Sequence, residues 1–197
     1  MKVVTLLDKA FDETCRDLAK QVDSSYKPDL IIGVLTGGGF VGQRVYKHFA
    51  SLGNVLYAEI SIERATTGIK TRYGLKKILR LLPEGLLNVL RVIEVLLLEL
   101  KAMIFTPKRA GEIVLSAAID KELSQGNKKV LVVDDCVDTG ATLLKVSGFI
   151  KEKFPSSNQV KFAVITKAHR KVLLEVDFFL FNRVLIRFPW SMDNKKR

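Results

Sequence analysis

Residues 129–146 read KVLVVDDCVDTGATLLKV, and this stretch predicts a strand, a tight turn and a helix in direct succession. Residues 130–133 form an apolar run rich in β-branched side chains, which is typical of a strand buried on both faces of a sheet. Gly140 lies in the polar turn that follows, and an apolar helical pattern begins at Thr142. A turn of this kind places the first amides of a helix directly beside the end of a central strand.

The turn has the properties of an anion site. The first amide groups of a helix have no partner inside the helix, and they carry the positive end of its dipole. Thr139 and Thr142 can add hydroxyl donors. Asp134 and Asp135 precede the turn and would repel a phosphate alone, yet they suit a ligand that carries vicinal hydroxyls or a divalent cation beside its phosphate. A ribose 5-phosphate meets both demands.

The stretch VLVVDDCVDTGATL, residues 130–143, resembles the phosphoribosyl pyrophosphate (PRPP) signature of the type I phosphoribosyltransferases. The resemblance implies that Asp134 and Asp135 hold the ribose hydroxyls, directly or through Mg²⁺, and are therefore the candidate metal ligands. It also puts Asp138 near the base, as the candidate catalytic general base or proton acceptor. The residues that it implies for 5-phosphate binding are Asp138, Thr139, Gly140, Ala141 and Thr142.

A second glycine-rich turn, LTGGGFVGQRV at residues 35–45, follows another predicted strand and opens a predicted helix. Gly37, Gly39 and Gly42 formally match the G-x-G-x-x-G fingerprint of dinucleotide-binding folds, and Glu59 follows at about the distance of a ribose-binding acid. A dinucleotide-binding oxidoreductase is therefore one alternative, but it leaves the other phosphate motif unexplained.

The same turn resembles the pyrophosphate loop of the phosphoribosyltransferases, and this reading explains both motifs. It implies that Thr36, Gly37 and Gly38 bind pyrophosphate. Thr36 stands where many members carry Arg or Lys, so this chain lacks one charged contact to pyrophosphate. The peptide bond before the first of those glycines is often cis in this family, which predicts a cis bond between Thr36 and Gly37.

The acceptor side of the site is predicted from the last third of the chain. Lys167 follows a predicted strand at residues 160–166 and resembles the family's lysine that contacts the exocyclic oxygen of a 6-oxopurine. This contact favours guanine, hypoxanthine or xanthine over adenine. Leu185, followed by Ile186, stands where the purine-type enzymes stack an aromatic side chain on the base, so contact is kept but stacking is weakened. Trp190, in a Phe-Pro-Trp segment like theirs, is expected to anchor the core or an interface.

Residues 73–105 have no counterpart in the compact members of the family. Residues 83–85, Pro-Glu-Gly, divide this insertion into two predicted helices. Its longest uncharged apolar run is residues 95–98, far below the roughly 20 residues that a membrane span needs. Three placements remain open for it: the domain core or a partner subunit, a membrane surface as a peripheral contact, or an apolar segment of another protein. The second helix carries a narrow polar stripe of Asn88, Arg91, Glu94 and Glu99.

Length, charge and cysteine content indicate the domain organisation, the kind of ligand and the cellular location to expect. The chain has 197 residues, which suits a single phosphoribosyltransferase domain (1–197) with a helical insertion (73–105) and a hood and base-binding segment (167–192). Its formal charge of +11 suits polyanionic ligands such as PRPP, as well as RNA or an anionic membrane. Two cysteines make no disulfide framework, and no signal-peptide pattern is present, so a cytoplasmic location is expected.

Together these patterns predict an α/β fold with a central, mainly parallel sheet flanked by helices, a small hood and an extra helical insertion. By resemblance, the predicted function is Mg²⁺-dependent transfer of the phosphoribosyl group from PRPP to a nucleobase, with a 6-oxopurine as the expected acceptor, in purine salvage by a homodimer or homotetramer. The alternatives are a PRPP-sensing regulator that binds nucleic acid, a transferase with a non-purine acceptor, and the oxidoreductase. Nucleic acid and membrane partners are not favoured.

Overall fold

Strands and helices alternate along the chain, as the sequence patterns predict. The computed structural model describes residues 1–62, 82–104 and 112–191. The strands are β1 (Lys2–Thr5), β2 (Leu30–Val34), β3 (Leu56–Ile62), β4 (Ile113–Val114), β5 (Lys129–Val137), β6 (Gln159–Lys167), β7 (Phe178–Asn182) and β8 (Val184–Arg187). The helices are α1 (Asp8–Asp23), α2 (Gly37–Ala50), α3 (Glu84–Ile104), α4 (Ala117–Ser124) and α5 (Ala141–Lys153).

Six strands form the central sheet, in the spatial order β4-β3-β2-β5-β6-β7. Neighbouring strands from β3 to β7 are parallel, and β4 pairs antiparallel with β3. All of β2 and residues 130–133 of β5 are buried, which confirms the two predicted central strands. Since parallel strands end at one edge of a sheet, β2 and β5 bring the two predicted phosphate motifs together at that edge.

Two apolar cores cover the faces of this sheet. Helices α1 and α2 pack on one face. The apolar spacing of residues 8–22 predicts an amphipathic helix, and α1 buries the apolar side chains that this pattern predicts: Phe11, Cys15, Leu18, Ala19 and Val22. Helices α4 and α5 pack on the other face through Ile119, Leu123, Leu143, Val146 and Ile150. The mainly parallel sheet flanked by helices is therefore the fold class that the sequence predicted.

The hood includes the N-terminus of the chain. Strand β8 pairs in parallel with β1, with Val3 opposite Leu185, and the two strands form a separate small sheet. The C-terminal pattern predicts strands at residues 176–181 and 184–188 but gives no sign of a partner at residues 2–5. Four residues of β1 are too short a run to predict without knowledge of what pairs with them.

One predicted boundary changes after the insertion. The sequence pattern predicts a short helix over residues 107–123, but Ile113–Val114 pairs with Ile62 and Ser61 as a strand, and α4 begins only at Ala117. The predicted first helix of the insertion falls on residues 73–81, which lie outside the described ranges. Helix α3 begins at Glu84, directly after Pro83, as predicted. No helix in the described part of the chain combines the length and apolar character that crossing a membrane requires.

Helix α3 turns its polar stripe towards the protein. Asn88 Oδ1 accepts a hydrogen bond from Arg187 Nη2 at 2.9 Å, and Glu99 Oε1 accepts one from the Arg170 amide at 2.8 Å. Val95, between them, is buried. The inner face of α3 thus packs on the chain's own domain, the first of the three placements. Among the α3 side chains that the structure describes, the large apolar ones that are exposed are Leu86, Val89, Leu90, Ile93, Leu96, Leu97 and Leu100.

Candidate active site

A cavity of about 480 Å³ opens at the carboxyl edge of the central sheet. It is bordered by the start of α2, the end of β5, the loop into α5, the hood and one face of α3. Gly38 and Lys167, both predicted site residues, do not line it. The predicted site residues that do are Thr36, Gly37, Asp134, Asp135, Asp138, Thr139, Gly140, Ala141, Thr142, Leu185 and Ile186.

The acid pair is held by hydrogen bonds that fix both carboxylates. Asp134 Oδ1 accepts from the Asp135 amide at 2.9 Å, and Asp135 Oδ1 accepts from the Cys136 amide at 2.9 Å. Trp190 Nε1 donates to Asp135 Oδ2 at 3.0 Å. Burial raises the pKa of Asp135, while hydrogen bonds, including that from Trp190, act in the opposite direction.

Glycines allow α2 to begin directly against this acid pair. A Cβ added to Gly37 would lie 2.0 Å from Asp135 Oδ2, and one added to Gly38 would lie 2.6 Å from the Val133 carbonyl oxygen. Gly38 is buried and packs against the β5 backbone. These two glycines are therefore required by the close approach of α2 to β5, whatever ligand binds.

The predicted cis peptide bond is displaced by one residue. The non-proline cis bond lies between Leu35 and Thr36, so the prediction of a cis bond between Thr36 and Gly37 is wrong. Thr36 already has helical backbone angles and caps α2, which begins at Gly37. The Thr36–Gly37 bond is consequently the entry into the helix, and the cis bond stands at the end of the preceding strand.

The loop after β5 is shaped by Gly140. Gly140 caps α5 with φ +81°, in the left-handed region that favours glycine. The Leu173 amide donates to the Thr139 carbonyl at 2.8 Å and ties the loop to the segment between β6 and β7. Helix α5 begins at Ala141, one residue before the predicted start. Its first-turn amides therefore lie at the cavity, in the arrangement expected for an anion site.

A sequence profile of the phosphoribosyl transferase domain matches residues 3–196, nearly the whole chain. The chain belongs to the phosphoribosyltransferase family. Its motifs had predicted this membership, and the profile match confirms it.

Individual relatives of this phosphoribosyltransferase are distant. A hypoxanthine phosphoribosyltransferase of Buchnera aphidicola is 32% identical over 72 residues, which is 36% of this chain and only 40% of that protein's length. A purine phosphoribosyltransferase of Pyrococcus horikoshii superposes with a TM-score of 0.58 at 22% identity, covering 97% of this chain and 95% of that one. A xanthine-guanine-hypoxanthine phosphoribosyltransferase of Helicobacter pylori gives 0.58 at 17% identity, with the same coverage. These two superpositions establish the shared fold.

The formal dinucleotide fingerprint has a structural explanation in this phosphoribosyltransferase. A Cβ on Gly42 would lie 3.1 Å from the Gly33 Cα, and the Tyr57 hydroxyl donates to the Gly39 carbonyl at 3.0 Å. The Tyr57 hydroxyl also lies 2.9 Å from Glu59 Oε1. The glycines thus serve the packing of α2 on β2 and β3, and Glu59 binds a tyrosine of its own strand. The family match removes the support for the oxidoreductase.

The side of the cavity that the hood forms is apolar. Leu185 and Ile186 line it and are only 5% and 4% exposed. Lys167 ends β6 as predicted, but its Nζ lies 3.8 Å from the centroid of the Phe179 ring, outside the cavity lining. A contact between Lys167 and a base would require the ammonium group to leave this ring.

Cys136 carries a thiol whose pKa is raised by its surroundings. It lines the cavity, and its Sγ donates to Asp138 Oδ1 at 3.4 Å. Burial raises the pKa of the Cys136 thiol well above its ordinary value, and the neighbouring carboxylates Asp138 and Asp135 raise it further. The thiol therefore stays protonated at neutral pH.

Two features of the site escaped sequence reasoning. Trp190 was expected to be an anchor, and it does stack on Phe188 and Phe40 with centroid distances of 4.9 Å. Its hydrogen bond to Asp135 was not foreseen, although an indole N–H that packs in a core usually finds an acceptor. The second feature is α3, which was assigned no part in the site but contributes Arg91, Glu94 and Val95 to the cavity lining.

Proposed function

We propose that this protein is a Mg²⁺-dependent phosphoribosyltransferase that moves the 5-phosphoribosyl group of PRPP onto a 6-oxopurine and releases pyrophosphate. The observation that carries the proposal is the meeting of the acid pair and the loops that precede α2 and α5 at one cavity. A ribose with a phosphate at one end and a pyrophosphate at the other needs these three kinds of group around it.

The 5-phosphate would bind at the start of α5. Ala141 and Thr142 offer first-turn amides, and the helix dipole adds partial positive charge there. Thr139 Oγ1 lies 3.4 Å from the Ala141 nitrogen, so its hydroxyl is within reach of the same anion. Asp138 is exposed beside them and would face the ring nitrogen of the acceptor rather than the phosphate.

The carboxylates of Asp134 and Asp135 fit a magnesium ion. Mg²⁺ prefers oxygen ligands and is commonly held by one or two carboxylates together with substrate phosphates and water. Both residues line the cavity beside Thr36 and Gly37, where we place the pyrophosphate, and Gly38 supports that turn from behind. When bound there, Mg²⁺ would supply positive charge to the leaving pyrophosphate.

The transfer breaks the bond between the anomeric carbon and a pyrophosphate oxygen and forms a bond to a ring nitrogen of the acceptor. The proton that this nitrogen loses would pass to Asp138, whose carboxylate already accepts a hydrogen bond from the Cys136 thiol. Positive charge that develops on the ribose would be stabilised by the carboxylates of Asp134 and Asp135. The remaining contribution of the chain is to hold both substrates in line and to exclude water.

A PRPP-sensing binding protein without turnover is the second candidate. Two observations favour it: the Lys167 ammonium lies over Phe179 outside the cavity, and Thr36 offers the pyrophosphate no charge. The experiment below separates it from the enzyme.

We further propose that the protein works as a homo-oligomer in the cytoplasm. Helix α3 exposes large apolar side chains, among them Leu97 at 60% and Leu100 at 58%, and a second copy would bury them. Both cysteines are free, which agrees with a reducing compartment. The mass in solution, compared with that of a Leu97→Glu, Leu100→Glu variant, tests the oligomer. A monomeric wild-type protein would contradict it.

The test of function is turnover of PRPP with each of four bases: guanine, hypoxanthine, xanthine and adenine. Nucleotide formation is measured in the presence and in the absence of Mg²⁺. We expect nucleotide from at least one 6-oxopurine, none without Mg²⁺, and a loss of rate of about 100-fold or more in Asp138→Asn. An Asp17→Asn variant, changed on the outer face of α1, should keep full activity. Binding of PRPP with no turnover of any base would exclude the purine transferase and favour the sensor.

A further inference from the structure

Helix α3 supplies the cavity with side chains that none of the phosphoribosyltransferase motifs account for. Arg91, Glu94 and Val95 are spaced at i, i+3 and i+4, so they share one face of the helix, and all three line the cavity. The same cavity is bordered by the acid pair and the hood. An inserted element therefore forms part of the wall of the site.

The contacts of α3 show which end of the site it covers. Val95 packs in a small apolar cluster with Leu185 and Ala168. Arg91 Nη2 lies 3.4 Å from Ser191 Oγ, at a distance that permits a weak hydrogen bond. Because Leu185 and Ser191 belong to the predicted hood and base-binding segment, the cavity-facing side of α3 lies where we place the acceptor.

Glu94 is the cavity-lining residue of α3 whose carboxylate can accept hydrogen bonds from N–H groups along the edge of an acceptor base. It is exposed, and within residues 1–62, 82–104 and 112–191 no hydrogen bond or ion pair engages its carboxylate. A carboxylate only accepts hydrogen bonds, and its two oxygens match two parallel N–H donors. Guanine presents a ring N–H beside an exocyclic amino group. Hypoxanthine offers the ring N–H alone, and xanthine has a carbonyl oxygen in place of the amine.

We propose that Glu94 selects the acceptor and favours a 6-oxopurine that carries a 2-amino group, guanine, over hypoxanthine and xanthine. This inference rests on the proposed transfer to a 6-oxopurine and names the substrate within that class. It also gives the insertion a role in specificity. The hood's Leu185 and Ile186 offer apolar contact to any of these bases and cannot discriminate among their edges.

The test compares wild-type protein with Glu94→Gln and Glu94→Ala. For each protein, kcat/KM is measured with guanine, hypoxanthine and xanthine at saturating PRPP and Mg²⁺. Loss of a hydrogen bond to a charged group predicts that the guanine-to-hypoxanthine ratio falls roughly 10- to 100-fold in both variants, mainly through guanine. A Glu13→Gln variant, which changes an exposed residue of α1, should keep the wild-type ratio. A structural role for Glu94 would lower the values for both bases together and leave the ratio unchanged.

A second measurement keeps this inference distinguishable from the proposed reaction. Guanine and hypoxanthine are titrated calorimetrically into two proteins loaded with PRPP and Mg²⁺. Both carry Asp138→Asn, which we expect to slow turnover, and one of them also carries Glu94→Gln. Guanine binding that Glu94→Gln weakens would support the inference, even if the wild-type protein forms no nucleotide and the transfer reaction fails. An unchanged preference in Glu94→Gln, with PRPP affinity intact, would overturn the inference. Absence of base binding in any of these proteins would overturn both.

Discussion

Helices α1 and α3 are both amphipathic, but they face the protein with opposite sides. Helix α1 buries Phe11, Leu18 and Val22 and leaves its charged side chains in solvent. Helix α3 turns Asn88 and Glu99 towards the protein, together with the buried Leu87 and Val95, and leaves a broad apolar surface outside. Hydrophobic periodicity predicted both helices, because it reports that two faces differ. It does not report which face meets the domain, since that depends on the surface that receives the helix.

The two helices also reach the site differently. Helix α1 acts through a relay of side chains: the rings of Phe11 and Trp190 meet edge to face at 5.3 Å between centroids, and Trp190 holds Asp135. Helix α3 lines the cavity directly. The first arrangement supports the acid pair at the proposed PRPP site, and the second adds a wall from the insertion to the same cavity.

The largest expected difference between the helices is in the stability effect of a single leucine. Leu18→Ala on α1 removes a side chain that is 0% exposed and should lower the free energy of unfolding by about 3 kcal/mol through loss of burial and a cavity. Leu97→Ala on α3 changes a side chain that is 60% exposed and should alter it by less than about 0.5 kcal/mol at low protein concentration. Urea denaturation of both variants measures this. Equal losses would mean that the outer face of α3 is covered.

The polar side chains should show the reverse order. Asn88→Ala on α3 removes the acceptor of the bond from Arg187, a residue only 5% exposed, and should cost about 1–2 kcal/mol. Lys9→Ala on α1 breaks an exposed pair with Glu13 and should cost less than about 0.5 kcal/mol. Thermal and urea denaturation give both values. A negligible effect of Asn88→Ala would contradict the anchoring of α3 through its polar stripe.

The relay from α1 predicts an effect on binding. Trp190→Phe keeps an aromatic ring against Phe11 and Phe188 but removes the N–H that donates to Asp135 Oδ2. We expect PRPP affinity in Mg²⁺ to fall roughly 10-fold, since a hydrogen bond to a charged group is lost. Phe40→Leu, which disturbs the stacking on Trp190 but keeps the N–H, is the matched control and should change affinity much less. Equal losses would assign Trp190 to packing alone.

The smallest expected difference is in how the two cysteines respond when α3 is loosened. Burial raises the pKa of Cys15 to about 12, and the pKa of Cys136 is also raised, so neither is a thiolate at pH 8. Native protein should be alkylated by iodoacetamide at least roughly 100-fold more slowly than the unfolded chain, and the rate should rise only as pH approaches the raised pKa values. Asn88→Ala, which loosens α3, should raise the alkylation rate of Cys136 a few-fold and leave the alkylation rate of Cys15 unchanged. Peptide mass spectrometry separates the two sites.

The fold and the two turns that meet at the cavity were predictable because their signals are local. Buried strands, strand-to-helix turns and the position of Gly140 follow from short runs of sequence, and family resemblance supplied their order. The rest depends on contacts between distant residues. The Trp190–Asp135 bond spans 55 positions, β1 gains its strand character from β8, and the Lys167 ammonium is drawn to the ring of Phe179. None of these partners is visible from the residue's own neighbours in the chain.

The most direct test of the central proposal is a calorimetric titration of PRPP into the protein with and without Mg²⁺. We expect saturable binding in Mg²⁺, a loss of about 10-fold or more in affinity in Asp134→Asn and in Asp135→Asn, and no change in Asp17→Asn, whose side chain pairs with Lys20 at the surface. Wild-type protein that is folded and yet binds no PRPP would contradict the assignment of the cavity at the end of β5.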